Sequence, residues 1–225
     1  MASKSGPDII EDGLVLCLDA ASKRSYPGTG TTWTDLKGVN NGTLTNGPTF
    51  DAGNGGGIVF DGTNDYVTIG SVPSLNLTTS FTLECWAKTT GVSGVRTIAG
   101  NIDTTTDNCN YRMALTNNNG LAVGQFTSGG VFKSASLTGP LNNTWNHYVL
   151  TWDNNNLIIY LNTVSSSANY SGFTPDTNST NFFIGKFWTA NDFWSGQQSL
   201  VKVYNRALTA DEIRRNYLST KERFA

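Results

Sequence analysis

The chain has 225 residues, a formal net charge of −2, 14 % charged residues and 24 glycines. That length suits one large domain, and the near-neutral balance lacks the basic field that steers phosphate, which argues against nucleic acid as a partner. No apolar run approaches the ~20 residues of a spanning helix, and Met1-Ala-Ser-Lys-Ser-Gly-Pro7 leads into no apolar segment, so neither membrane insertion nor a signal peptide is expected.

The first 12 residues read as a flexible arm, and residues 13–225 as a single domain without repeats or linkers. Leu14-Val-Leu-Cys-Leu-Asp19 alternates with period two, which predicts a strand with Leu14, Leu16 and Leu18 on one face, followed by an exposed loop over Ser22–Gly30. Asp65–Ile69 is a second strand, entered through Asp61-Gly62 and left through Gly70. Phe81–Lys88 has the clearest alternation: Phe81, Leu83, Cys85 and Ala87 face inward, and Thr82, Glu84, Trp86 and Lys88 form a partly wet face. Further strands are predicted at Thr97–Ala99, Tyr111–Leu115, Leu121–Phe126, Val131–Ser136, His147–Trp152, Leu157–Leu161, Phe182–Gly185 and Leu200–Tyr204. Asn117–Gly120 and Asp153–Asn156 tolerate positive φ and bond their own backbone, which makes them hairpin turns. A helix follows to about Ser219, with Thr209 as N-cap, Glu212 three residues on to close a capping box, and Leu208 and Ile213 as its hydrophobic staple.

The three cysteines make no disulfide framework. Cys17 and Cys85 read as buried small hydrophobes, and Cys109 lies in a polar loop. Asn-x-Ser/Thr triplets start at Asn41, Asn76, Asn142, Asn169 and Asn178, a by-product of Asn- and Thr-rich turns. The single histidine, His147, reads as a packed, hydrogen-bonded residue. No Gly-x-Ser-x-Gly elbow, metal-ligand spacing or phosphate loop is present, and no catalytic residue is assigned. The segment Lys186–Ser195 places four aromatics around an amide and a carboxylate. Sugar C–H faces stack on rings while hydroxyls need polar partners, so Phe187, Trp188, Asn191, Asp192 and Phe193 form the candidate carbohydrate site, with Trp194 assigned to the core and Trp188 or Phe193 expected to be exposed. The loops Asn101–Asn110 and Ser165–Asn181 are candidate contact surfaces.

Phe60-Asp-Gly-Thr-Asn-Asp-Tyr-Val67, Trp145-Asn-His-Tyr-Val-Leu-Thr-Trp-Asp153 and Trp194-Ser-Gly196 leading into Ser199–Leu208 resemble the laminin-G-like, concanavalin A-like lectin/glucanase family along nearly the whole chain. The resemblance implies an all-β fold: a two-sheet antiparallel jelly-roll sandwich with one short C-terminal α-helix. Glucanases of that fold carry Glu-x-Asp-x(-x)-Glu on one strand. Here only Glu11, Glu84, Glu212 and Glu222 are present, and none has such a partner, so the chain is expected not to be an enzyme. The resemblance also implies calcium, Ca2+, as a cofactor held by rim carboxylates, for which Asp61 and Asp65 are the candidates. Many relatives carry an Asp-Glu pair near the last strand where this chain has Gly196-Gln-Gln-Ser199-Leu200.

A narrower resemblance covers Gly13–Ala20, Ser25–Leu36, Asn40–Phe50 and Asn216–Phe224, which look like laminin-G-like modules of virion proteins from tailed phages. It implies a virion accessory protein, of capsid-decoration or head-fibre type, assembled in the host cytoplasm. The partners it implies are other virion proteins such as the major capsid protein, a host-surface polysaccharide, or a second copy of the chain. The alternative reading is a carbohydrate-binding adhesion lectin.

Overall fold

The computed structural model describes residues 8–91, 93–103, 105–116, 120–139, 142–177, 180–187 and 192–225. In chain order the strands are β1 (Leu14–Asp19), β2 (Thr32–Trp33), β3 (Gly42–Thr45), β4 (Thr49–Asp51), β5 (Gly57–Asp61), β6 (Tyr66–Gly70), β7 (Phe81–Thr89), β8 (Val95–Asp103), β9 (Cys109–Thr116), β10 (Leu121–Ser128), β11 (Val131–Thr138), β12 (Asn146–Trp152), β13 (Asn156–Leu161), β14 (Val164–Asn169), β15 (Thr180–Ile184) and β16 (Ser195–Tyr204). The helix α1 (Ala210–Thr220) follows.

They form two eight-stranded antiparallel sheets. The first runs β14-β13-β12-β7-β16-β5-β4 with β1 also on β16, and the second runs β11-β10-β9-β8-β15-β6-β3-β2. Strand β16 organises the first sheet. Its opening half, Ser195–Gln198, pairs with β5 and its closing half, Leu200–Tyr204, with β1, while β7 lies along its other edge. This is the expected jelly-roll sandwich. The main core fills the space between the sheets with alternate residues of both, including Leu83 and Leu150 from the first and Tyr111, Met113, Phe126 and Ile184 from the second. Burying each such leucine or phenylalanine contributes about 1.5–3 kcal/mol relative to exposure.

Two periodicity readings change. In β1 the register against β16 shifts between Leu14 and Leu16. That irregularity turns Leu14 away from the main core, which keeps Leu16 and Leu18, and puts it with Cys17 on the outer face. The face of β7 expected to be partly wet is covered: Glu84 is fully buried and Trp86 nearly so. A second core accounts for this. Trp86, Trp145, Val149, Leu200 and Tyr204 on the outer face of the first sheet pack against Leu208, Ile213 and Phe224 of the C-terminal region and against Ile10.

The helix begins as its sequence signal requires. The Thr209 hydroxyl accepts from the Glu212 amide at 3.3 Å, and the Glu212 carboxylate accepts from the Thr209 amide at 2.8 Å. The staple residues Leu208 and Ile213 are both in the second core. Asn216, one turn from the end of α1, ties the start of the chain to it: its Oδ1 accepts from the Ile10 amide at 2.8 Å. Tyr204 Oη donates to the Ile10 carbonyl, and Arg215 Nε to that of Asp8. Of the segment read as an arm, residues 8–12 are therefore held against the sandwich, and residues 1–7 lie outside the described residues.

Cys109 opens β9 and is buried, not looped out, because half of the Asn101–Asn110 segment is the ends of β8 and β9. All three cysteines are free and buried, and burial pushes the Cys17 and Cys109 thiols up to about 11. The first part of the Ser165–Asn181 loop is likewise strand, β14. The Asp153 turn forms as read, with its carboxylate accepting from the Asn155 and Asn156 amides at 2.9 and 2.6 Å. The Asn117–Asn119 part of the other hairpin turn lies outside the described residues, although β9 and β10 pair on either side of it.

Candidate functional site

Three connections pass from one sheet to the other at the same end of the sandwich: β5 to β6, β7 to β8, and β15 to β16. Register explains the convergence. Asp61 at the end of β5 lies opposite Ser195 at the start of β16, and Gly196 lies opposite Thr89 at the end of β7. On the second sheet Val67 pairs with Ile184, and Ile184 with Ala99, so the matching ends of β6, β15 and β8 stand side by side. Described residues of the loops leaving these six ends border an open cleft with two adjoining lobes of about 450 and 430 Å³.

Gly62, Ser93 and Arg96 border both lobes. Thr63, Gly94, Val95 and Asp192 complete the first, and Asp61, Thr90, Gly91 and Ser195 the second. The walls are fixed by local bonds. Thr90 N–H donates to the Ser195 carbonyl at 3.1 Å, the two hydroxyls of Thr90 and Ser195 lie 2.8 Å apart, and the Thr97 amide donates to the Asp192 carbonyl. Gly62 has φ +79, and a Cβ there would meet Ser195 Cβ at 2.8 Å, so only glycine lets the β5–β6 turn press this closely on β16.

Asp61 and Asp65, the calcium candidates, lock this turn. Asp61 Oδ1 accepts from the amides of Thr63, Asn64 and Asp65 at 2.8, 3.2 and 3.5 Å, and Asp65 Oδ2 accepts from the Asp61 amide at 3.0 Å. The Thr63 amide, foremost, holds the Asp61 carboxyl below its ordinary range. Burial, with the Asp61 charge behind it, raises that of Asp65. Calcium takes about six to eight oxygens. One oxygen of each carboxylate is taken by backbone amides. These bonds account for Asp61 and Asp65 as formers of the β5–β6 turn.

The aromatic candidates are distributed differently from expectation. Phe187 and Phe193 are buried, only 2 % and 8 % exposed. Phe187 joins Ile102, Cys109 and Phe183 in a small cluster on the outer face of the second sheet, with the Arg112 guanidinium 3.8 Å above its ring. Phe193 lies against Tyr66 at 6.4 Å. Their faces are used for packing and offer no stacking platform. Trp194 is core, as read. Trp188 and Asn191 lie outside the described residues. Asp192 lines the first lobe and Asp61 the second, so one residue from each predicted site borders the cleft. Arg96, Ser93, Gly94, Thr90 and Ser195 were not singled out from sequence. Turn-forming Gly91 and Gly94 mark a loop, and nothing local says that this loop faces two others.

A second polar cluster lies under α1. Glu84 Oε1 accepts from Lys202 Nζ and pairs with His147 Nε2, both at 3.0 Å, and Glu84 Oε2 accepts from Asn216 Nδ2 at 2.7 Å. Glu84, His147, Lys202 and Asn216 are all fully buried. Burial alone would raise the Glu84 carboxyl; the Lys202 charge first and then His147 overcome it and hold the group at about 2. His147 is thus the packed, bonded residue its strand pattern suggested. Trp86 Nε1 donates to Thr220 Oγ1 at 2.9 Å, and the Trp86 ring stacks on Phe224 and Tyr217 at 4.3 and 5.6 Å, closing the cluster from above.

Comparison with solved structures finds the same fold in proteins of distant sequence. A Trypanosoma rangeli sialidase in complex with sialic acid matches with TM-score 0.72 at 17 % identity, over 99 % of this chain and 35 % of that one. Domain 4 of AbnA, an extracellular GH43 arabinanase from Geobacillus stearothermophilus, in complex with arabinotriose, matches with TM-score 0.69 at 16 % identity, over 91 % of this chain and 98 % of that one. The binding domain of Paraclostridial Mosquitocidal Protein 1 matches with TM-score 0.69 at 16 % identity, over 90 % and 51 %. The chain thus spans about a third of the sialidase and nearly all of the arabinanase domain. No curated protein sequence matches. The family model Laminin_G_3, described as the concanavalin A-like lectin/glucanases superfamily, matches residues 61–214, more than half of the sequence, and the chain belongs to that family.

Proposed function

We propose that the chain is a non-catalytic carbohydrate-interaction module that engages glycan through the cleft at the sandwich end. The observation that carries this reading is the composition of the cleft: a guanidinium, two carboxylates and four hydroxyls on loops anchored by six strand ends. Such groups exchange donors and acceptors with sugar hydroxyls, each bond adding about 0.5–1.5 kcal/mol net. The arabinanase domain of matching length, whose structure holds arabinotriose, supports the ligand class. The burial of Glu84, and its use by Lys202, His147 and Asn216, supports the non-catalytic part, since hydrolysis needs a pair of carboxyl groups flanking an accessible bond.

Electrophoresis of the native protein through gels containing arabinan or bacterial capsular polysaccharide tests the reading. Retardation of the wild type, lost in Arg96→Ala, is the expected result. Equal migration of the two proteins in every gel would overturn it.

The setting we propose is an accessory virion protein, supported by the ordered resemblance over residues 13–50 to modules of tailed phages. There it would dock on other virion proteins such as the major capsid protein and present the cleft outward. Many weak sites on one particle would gain avidity for a host-surface polysaccharide. Quantitative mass spectrometry of purified particles tests this: hundreds of copies support decoration, and none would remove the virion setting while leaving the glycan reading intact.

A further inference from the structure

We infer that two copies of the chain pair through β14, antiparallel across a twofold axis, so that their first sheets join into one. The pairing is independent of the glycan reading above. Open sheets end in strands whose unpaired N–H and C=O groups recruit further strands unless those edges are shortened, covered or charged. Here the edge strands are β14, β4 and β1 of the first sheet and β11 and β2 of the second. Strands β2 and β4 have only two and three residues. The segment that follows β1 covers it. The Cys17 amide donates to Asp35 Oδ1 and its carbonyl accepts from the Leu36 amide; the Asp19 amide donates to Ser25 Oγ, and the Val15 carbonyl accepts from Asn40 Nδ2. Strand β11 is tied at its middle, where Tyr170 Oη accepts from the Ser134 amide at 3.0 Å and donates to the Ser134 carbonyl at 2.8 Å. Among the described residues, β14 has no such cover and pairs only with β13.

The register shows which groups face outward. The two-residue turn Asn162-Thr163, with φ of 49 and 77, joins β13 to β14, and the strands pair without a shift from Leu161 opposite Val164 to Asn156 opposite Asn169. In such a hairpin the pair flanking the turn, and every second pair after it, exchanges backbone hydrogen bonds. Val164, Ser166 and Ala168 therefore bond to β13, while Ser165, Ser167 and Asn169 direct their N–H and C=O groups away from it.

A second copy is the occupant this edge fits. With Ser167 opposite its own equivalent, Ser165 meets Asn169 and Ser166 meets Ala168, so short side chains face each other and no like charges are opposed. The strand carries no charge, proline or bulge to prevent pairing with itself. Apolar surface lies on the same narrow side of the sandwich, where β11 and β14 lie against each other. Four large apolar side chains are exposed among the described residues: Val164 begins β14, Val131 begins β11, Phe173 follows β14 and lies under Lys133, and only Val39 is elsewhere. Strands β13 and β12 stand between β14 and β7, so the pairing edge is separate from the cleft.

Sedimentation velocity over a concentration series tests the pairing, each variant being checked by its thermal transition. Ser167→Pro removes an outward amide without touching the ladder to β13, and Ser167→Lys opposes two charges at the axis. Val39→Asp is the control, at the exposed apolar residue away from this edge. The expected result is a concentration-dependent dimer whose dissociation constant rises about tenfold or more in both Ser167 variants and stays within about threefold in the control. A dimer that the Ser167 variants leave intact, or that Val39→Asp weakens equally, would overturn the inference. A monomer at every concentration would overturn it too and leave the edge to a chain of different sequence.

Discussion

The molecule has two polar regions, and they differ in what their polarity serves. Under α1, Glu84, Lys202, His147 and Asn216 form a charged cluster with no solvent access and short bonds throughout. At the sandwich end, Gly62, Thr90, Ser93, Arg96 and Asp192 form an open cleft on loops. The first has the residue types of an active site and serves to dock a helix and the start of the chain onto a sheet. The second has the residue types of ordinary turns and opens to solvent. Accessibility, not the chemical richness of the side chains, separates them.

The sharpest way to break this contrast is to remove the anion of the closed region. Glu84→Ala leaves Lys202 buried without its carboxylate, and the uncompensated charge should cost about 3–5 kcal/mol in urea denaturation. A loss below 1 kcal/mol would mean that water reaches the cluster.

A pH series reads the same residue more gently. The Glu84 carboxyl is depressed from 4.5 to about 2 by Lys202 and His147 against the opposing effect of burial, so its stabilisation is fully present above pH 4.5 and is lost as pH falls through about 2. The stability advantage of the wild type over Glu84→Gln should therefore shrink as pH falls from 4.5 to 2. Glu212, held at about 2 foremost by its bonds from Arg206, titrates in the same window, and its contribution cancels in that difference.

Thr209→Ala removes one half of the capping box and should cost about 1 kcal/mol, felt through α1 because the helix is the lid of the closed cluster. An unchanged unfolding midpoint would show that Glu212 and Arg206 hold the helix start without the hydroxyl. Gly94→Asn in the open region should change stability by less than about 0.5 kcal/mol while weakening glycan binding. A large stability loss there would make the cleft loop part of the fold's framework and erase the contrast.

The sequence was informative wherever the interaction is local or periodic. The inward set Phe81, Leu83, Cys85 and Ala87, the turn at Asp153 and the capping box at Thr209 each depend on residues a few positions apart, and each is found as read. The short strands β2, β3 and β4 escaped notice because two to four residues carry too little periodicity, and β14 because Val164-Ser-Ser-Ser-Ala-Asn169 has almost no apolar face. Polarity on one face of β7 suggested solvent. Its burial depends on Asn216, 132 residues away, which no pattern within the strand could signal.

The cleft has the same origin. Asp61 and Asp192 were chosen for different ligands, and only the pairing of β5 with β16 brings their loops to one end. Phe187 and Phe193 misled because a cluster of aromatics reads alike whether its faces meet a sugar or, as here, Arg112 and Tyr66.

The most direct test of the account is an amide chemical-shift map of the 15N-labelled protein titrated with arabinotriose. The account predicts shifts concentrated at Gly62, Thr63, Ser93, Gly94 and Arg96, with the amides of Trp86, His147 and Tyr217 unmoved. Shifts centred on Trp86, Trp145 and Phe224, or on Phe183 and Arg112 across the second sheet, would place the ligand elsewhere and contradict it.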